Sequence, residues 1–105
     1  MTTLLAVLLF AATLQAPAQP AAGADAQALI ERGLAHYKQG HLQAARQEFQ
    51  KAVDADPQSA AAHFYLGYTL YKIAEPTKRL TPEKQQALEH FSRAFELDPK
   101  FVPRW

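Results

Sequence analysis

A chain of 105 residues with a formal net charge of +1 has room for one small domain. Lys78, Arg79 and Lys84 form its one local basic cluster, far short of the basic stripe that a nucleic-acid footprint needs. The absence of cysteine excludes disulfides, thiol catalysis and cysteine lipidation.

The chain opens on an uncharged apolar run of eleven residues, Leu4 to Leu14, the size of a signal-peptide h-region. A spanning helix needs ~20 apolar residues, so no stable membrane span is expected here. Two A-x-A-like cleavage sites follow: Ala16-Pro17-Ala18 before Gln19, and Ala22-Gly23-Ala24 before Asp25. No lysine or arginine precedes the run, so only the α-amino group supplies positive charge there. Residues 1–24 are read as a signal peptide and linker, which implies an exported, periplasmic or secreted protein of bacterial type. The alternative is an apolar N-terminal helix packed on the domain.

Residues 25–99 carry helical periodicity twice, as units 25–59 and 60–99. The first helix is expected from about Asp25, its N-cap, to Gln39, with Leu29, Ile30, Leu34 and Tyr37 on an apolar stripe. Gly33 inside that helix costs roughly 1 kcal/mol against alanine, which a closely crossing helix would offset. Gly40 suits a left-handed C-cap. The second helix is expected from Leu42 to Ala55, with Ala45, Phe49, Ala52 and Val53 on one face, stopped by Pro57.

The same wording returns. Gly33, Tyr37 and Lys38 recur 34 residues on as Gly67, Tyr71 and Lys72, and Ala45, Phe49, Ala52 and Pro57 recur 42 residues on as Ala87, Phe91, Ala94 and Pro99. The difference of eight residues is an insertion near 75–81, after Pro76 and before a Thr81-Pro82-Glu83 helix start. Such an insertion maps to a surface loop.

These intervals resemble the tetratricopeptide repeat (TPR), whose pattern falls on Leu29, Arg32, Gly33, His36, Ala45, Phe49 and Pro57. Leu29, Arg32 and His36 depart from the usual tryptophan, leucine and tyrosine. An arginine at an apolar place implies that no repeat covers that face, so the first unit reads as a cap. The resemblance implies an all-α fold of antiparallel helix–turn–helix repeats, a short TPR-type α-solenoid.

Residues 100–105 are a C-terminal tail or a truncated third repeat, with Trp105 in register for the next unit's first position. Leu88, Phe95 and Leu97 on the last helix need cover. Either Phe101, Val102 and Trp105 fold back as a cap, or two chains pair, or the protein continues.

No catalytic or nucleotide-binding motif occurs, and His36, His41, His63 and His90 do not form a converging ligand set, so neither an enzyme nor a metal or other cofactor is expected. A small hydrolase or metal-binding protein using His63 or His90 is the contrasting class. By resemblance, the first helices of the repeats line a concave groove for a protein or peptide partner. That face would carry Ile30, Leu34, Tyr37 and Lys38, then Phe64, Tyr68, Tyr71 and Lys72. The aromatic and aliphatic character disfavours a carboxylate clamp and favours an apolar segment such as an amphipathic helix. Self-association into a homodimer through the last helix is the competing reading.

Overall fold

The computed structural model describes residues 22–105, which form four α-helices. These are α1 (Ala22–Lys38), α2 (Leu42–Ala55), α3 (Ala60–Ala74) and α4 (Pro82–Leu97). The apolar run Leu4–Leu14, the site before Gln19 and most of the linker lie outside the described residues. The second cleavage motif, Ala22–Ala24, falls within α1. That helix starts earlier than expected, because alanines at 22, 24, 26 and 28 are strong helix formers. Asp25 is therefore in its first turn rather than at its N-cap, where its charge still complements the positive helix end.

Each connection is built by local chemistry. Gly40, at φ +80°, closes α1: its amide donates to the Tyr37 carbonyl and the His41 amide donates to that of His36, both at 2.9 Å. The Ser59 hydroxyl caps α3 by accepting from the Ala62 amide at 3.1 Å. Thr81 caps α4 in the same way through Lys84, with Pro82 at the first helical position. The inserted residues 75–80 form the exposed turn between α3 and α4, where Lys84 donates to the Thr77 carbonyl.

The helices pair as α1 with α2 and α3 with α4, and α3 packs on α2 to join the hairpins. Small residues set the spacing: Ala45, Ala52, Ala62, Ala87 and Ala94 are all buried at the crossings. A Cβ on Gly33 would lie 2.4 Å from the Phe49 ring, so glycine is required for α2 to come this close. Phe49 is fully buried and lies against Tyr65, ring centroids 5.5 Å apart. Its burial contributes about 1.5–3 kcal/mol by area. Among the described residues no helix is long and apolar enough to cross a membrane.

The two Asp-Pro turns are alike bond for bond. Asp56 and Asp98 each donate to the carbonyl four residues back, and each accepts on Oδ1 from the amide two residues on, Gln58 and Lys100. The carbonyls of the same aspartates accept from Ser59 and Phe101. After that the paths part. Ser59 caps a new helix, whereas its counterpart Phe101 has no side-chain acceptor, and Pro103 disfavours the α conformation at Val102. Residues 101–105 stay outside any helix.

Candidate functional site

The parallel helices α1 and α3 place one row of side chains each along a shared face. Ile30 is buried there, Leu34, Tyr37, Phe64 and Tyr68 are half-buried, and Lys38 and Tyr71 are exposed. Lys72 is turned to Glu75, pairing at 3.1 Å, and that carboxylate's hydrogen bond raises its pKa. Of the eight expected groove residues, Ile30 and Leu34 line a shared cleft and Tyr37, Phe64 and Tyr68 join one aromatic cluster. Lys72 and Tyr71 lie toward the α3 end, and Tyr71, 44% exposed, contacts no ring of the C-terminal tail.

The C-terminal tail folds back, but not over the face expected to need it. Leu88 and Phe95 on α4 remain 59% and 47% exposed. The tail instead crosses α3 to reach α1. Phe101 packs on Phe64 and Tyr65, with centroids 5.3 and 6.0 Å away. Trp105 stacks on Tyr37 at 4.7 Å, interplanar angle 29°, and meets Tyr65 and Tyr68 edgewise or tilted at 5.0 Å. The physical reason is the supply of flat partners: three tyrosines wait on the inner face, and an indole pairs well with each. A further aromatic set, Phe91 and Phe95 of α4, supports Phe64 from behind.

Tyr65 is the residue that sequence reasoning missed. Its hydroxyl accepts from the Arg104 amide at 2.7 Å and donates to the Arg104 carbonyl at 3.2 Å. It stands three residues before Tyr68, a helical neighbour that a broader reading of the 64, 65, 68 aromatic arc would have included. A cleft of about 550 Å³ remains beside the tail, between Gln27, Ile30 and Leu34 of α1, Ala61 and Tyr65 of α3, and Phe101 and Arg104. Burial, with the neighbouring Tyr68 phenol, raises the pKa of Tyr37, so its hydroxyl stays protonated at neutral pH.

The second cluster is a histidine pair. His63 is buried and His90 is half-buried. Their Nδ1 atoms are 2.9 Å apart, and His63 Nε2 is 2.8 Å from the Pro57 carbonyl. A carbonyl only accepts, so His63 carries its proton on Nε2 and accepts on Nδ1 from His90. Burial first, then His63, lowers the His90 pKa, against a small rise from Glu89. His36 and His41 are 6.1 Å apart by ring centroid at the Gly40 turn. Among the described residues no three His, Asp or Glu side chains gather where a metal could sit.

The geometry is that of a two-hairpin helical repeat array, and comparison with known proteins agrees on the repeat. The family model for the TPR repeat matches residues 33–73. The chain is 35% identical over 75 residues to superkiller complex protein 3 of Mus musculus, covering 71% of the chain and 4% of that protein. It is 33% identical over 67 residues to tetratricopeptide repeat protein 37 of Xenopus laevis, covering 64% and 4% respectively. A third relative, from Hordeum vulgare, is described as a probable UDP-N-acetylglucosamine–peptide N-acetylglucosaminyltransferase, SPINDLY. It is 30% identical over 81 residues, 77% of the chain and 8% of that protein. The chain spans less than a tenth of each relative's length, so their activities are properties of those whole proteins. The chain belongs to the tetratricopeptide-repeat family. Repeats of this family mediate protein–protein interaction.

Proposed function

We propose that the chain binds a segment of a partner protein on the inner face of α1 and α3. One observation carries this reading: Tyr37, Phe64, Tyr65 and Tyr68 converge on a single face beside an open cleft. Tyrosine suits such a face because it joins a large apolar body to a hydrogen-bonding tip. The test is a photo-crosslinking side chain at position 34, at the cleft's edge, used in cells. It should trap a defined partner in the wild type and lose it in the Tyr37→Ala, Tyr68→Ala variant, whose helicity should hold. If that variant unfolds, the rings are core and the reading fails.

A homodimer through α4 is the second reading, favoured by the exposure of Leu88 and Phe95, one face of the helix two turns apart. Sedimentation across concentration tests it, and a strict monomer removes it. Export is proposed on the apolar run Leu4–Leu14 and the small residues after it. Cleavage before Gln19 leaves α1 whole, whereas cleavage before Asp25 removes its first three residues. N-terminal sequencing of mature material should therefore begin at Gln19, and an intact Met1 would overturn the proposal.

A further inference from the structure

Residues 101–105 of the chain itself occupy the inner face, and their contacts define what fits there. Tyr65 spans the amide and the carbonyl of one residue, Arg104, with a single hydroxyl. In extended backbone the N–H and C=O of one residue point to the same side, as in a hydrogen-bonded pair of an antiparallel ladder. In a helix the two groups point to opposite ends of the axis, and both are spent within the helix. A hydroxyl bonded in this way fits extended chain and finds no such free pair in the interior of a helix. This departs from the amphipathic helix that the apolar composition of the face favours.

Side-chain selection comes from the two flanking aromatic sites. Phe101 fills the one made by Phe64 and Tyr65, and Trp105 the one made by Tyr37, Tyr65 and Tyr68. The spacing is Phe-x-x-x-Trp, with the Tyr65 bonds falling on the residue just before tryptophan. Nothing in these contacts requires the occupant to be covalently joined to α4.

We propose that residues 101–105 are a self-ligand of the inner face, and that the partner segment is an extended peptide with phenylalanine and tryptophan four residues apart, which must displace the tail to bind. This rests on the binding reading above and adds its chemistry and its regulation. A docked tail lowers the apparent affinity of a competitor by the fraction of chains whose face is open, so a tail seated nine-tenths of the time hides about tenfold.

Trp105 is the chain's one tryptophan, so its emission reports the tail directly. In the full chain it should be shifted to shorter wavelength or quenched relative to free tryptophan, and independent of concentration. Tyr65→Phe, which keeps the ring and removes both bonds, should partly release it with the helical signal unchanged. A fluorescein-labelled Lys-Phe-Val-Pro-Arg-Trp peptide should bind the Phe101→Ala, Trp105→Ala chain about tenfold more tightly than the wild type. Replacing its phenylalanine and tryptophan by alanine should abolish binding. Solvent-like Trp105 emission in the wild type, or equal peptide binding to both chains, would overturn the proposal. Emission that changes together with dimer formation assigns the site to a second copy's tail and also overturns it. If the peptide neither binds nor competes with the partner trapped at position 34, while that trapping still depends on Tyr37 and Tyr68, this inference fails and the binding reading stands. Loss of both removes both.

Discussion

The two repeats are copies at the level of sequence and unlike at the level of burial, and their neighbours explain why. Arg32 and Leu66 hold the same register, yet Arg32 is exposed and pairs with Glu48 at 3.1 Å while Leu66 is fully buried. Val53 and Phe95 also correspond; the first is buried beneath α3, the second stands 47% exposed. Each repeat is thus completed by its neighbour in the chain, and the two outer faces differ. The front face carries the Arg32–Glu48 ion pair. The rear face is apolar: Leu88 and Phe95 stand exposed on it, and residues 101–105 lie against the tyrosines rather than over them.

The sharpest way to break the pairing is through the corresponding phenylalanines. Phe49 is enclosed by α1, α2 and α3, so Phe49→Ala should cost about 3–5 kcal/mol of unfolding free energy. Phe91 is half-buried between Gly67 and Phe64, and Phe91→Ala should cost clearly less. Urea titration of both checks this. Equal losses would mean that the repeats are energetically equivalent despite their different surroundings.

The next effect is at the glycines. At Gly33 an added Cβ meets the ring of the fully buried Phe49 at 2.4 Å, so that ring has to shift. At Gly67 the nearest atoms are the Ala87 carbonyl oxygen at 3.0 Å and His90 Cβ at 3.2 Å, which need to give by tenths of an ångström. Overpacking costs about 1–3 kcal/mol, and alanine returns roughly 1 kcal/mol of helix propensity. Gly33→Ala should therefore lose about 2 kcal/mol and Gly67→Ala under about 1 kcal/mol. A stabilised Gly33→Ala chain would show that α1 and α2 can separate freely.

Much of this architecture could be read in advance because local chemistry decides it. Gly40, the Asp-Pro turns, the Thr81-Pro82 cap and the alanine–phenylalanine faces each act within a few residues of themselves. The path of the tail could not. It depends on a competition between an apolar face on α4 and an aromatic one on α1 and α3, and on Phe101 standing where Ser59 stands in the first repeat. Tyr65 escaped for a related reason: a single stripe through Phe64, Tyr68 and Tyr71 was enough to define a helical face, but the face the tail uses is centred between Phe64 and Tyr68. The His63–His90 contact required the register of two helices across the inserted loop.

That histidine contact also distinguishes the repeats, since the corresponding residues of the first are Leu29 and Glu48. The pair has room for one proton between its Nδ1 atoms, and His63 Nε2–H is engaged by Pro57, so an added proton goes to His90 Nε2. The groups facing it are His63 on α3 and Glu89 on its own helix; burial outweighs the carboxylate and holds the His90 pKa below its ordinary 6.5. Folded chains then bind fewer protons than unfolded ones in the window below that value. The stability this contributes is complete above the unfolded pKa and is lost as pH falls through the folded one. The thermal midpoint of the wild type should decline as pH is lowered from about 7.5 to about 5, where histidine charges. His90→Gln, whose amide can still donate to His63 but does not titrate, should flatten that decline. The effect should be smaller than that of Gly33→Ala, because His90 is only half-buried. An unchanged slope in His90→Gln would place the acid sensitivity in other groups and leave the pair a neutral strut between α3 and α4.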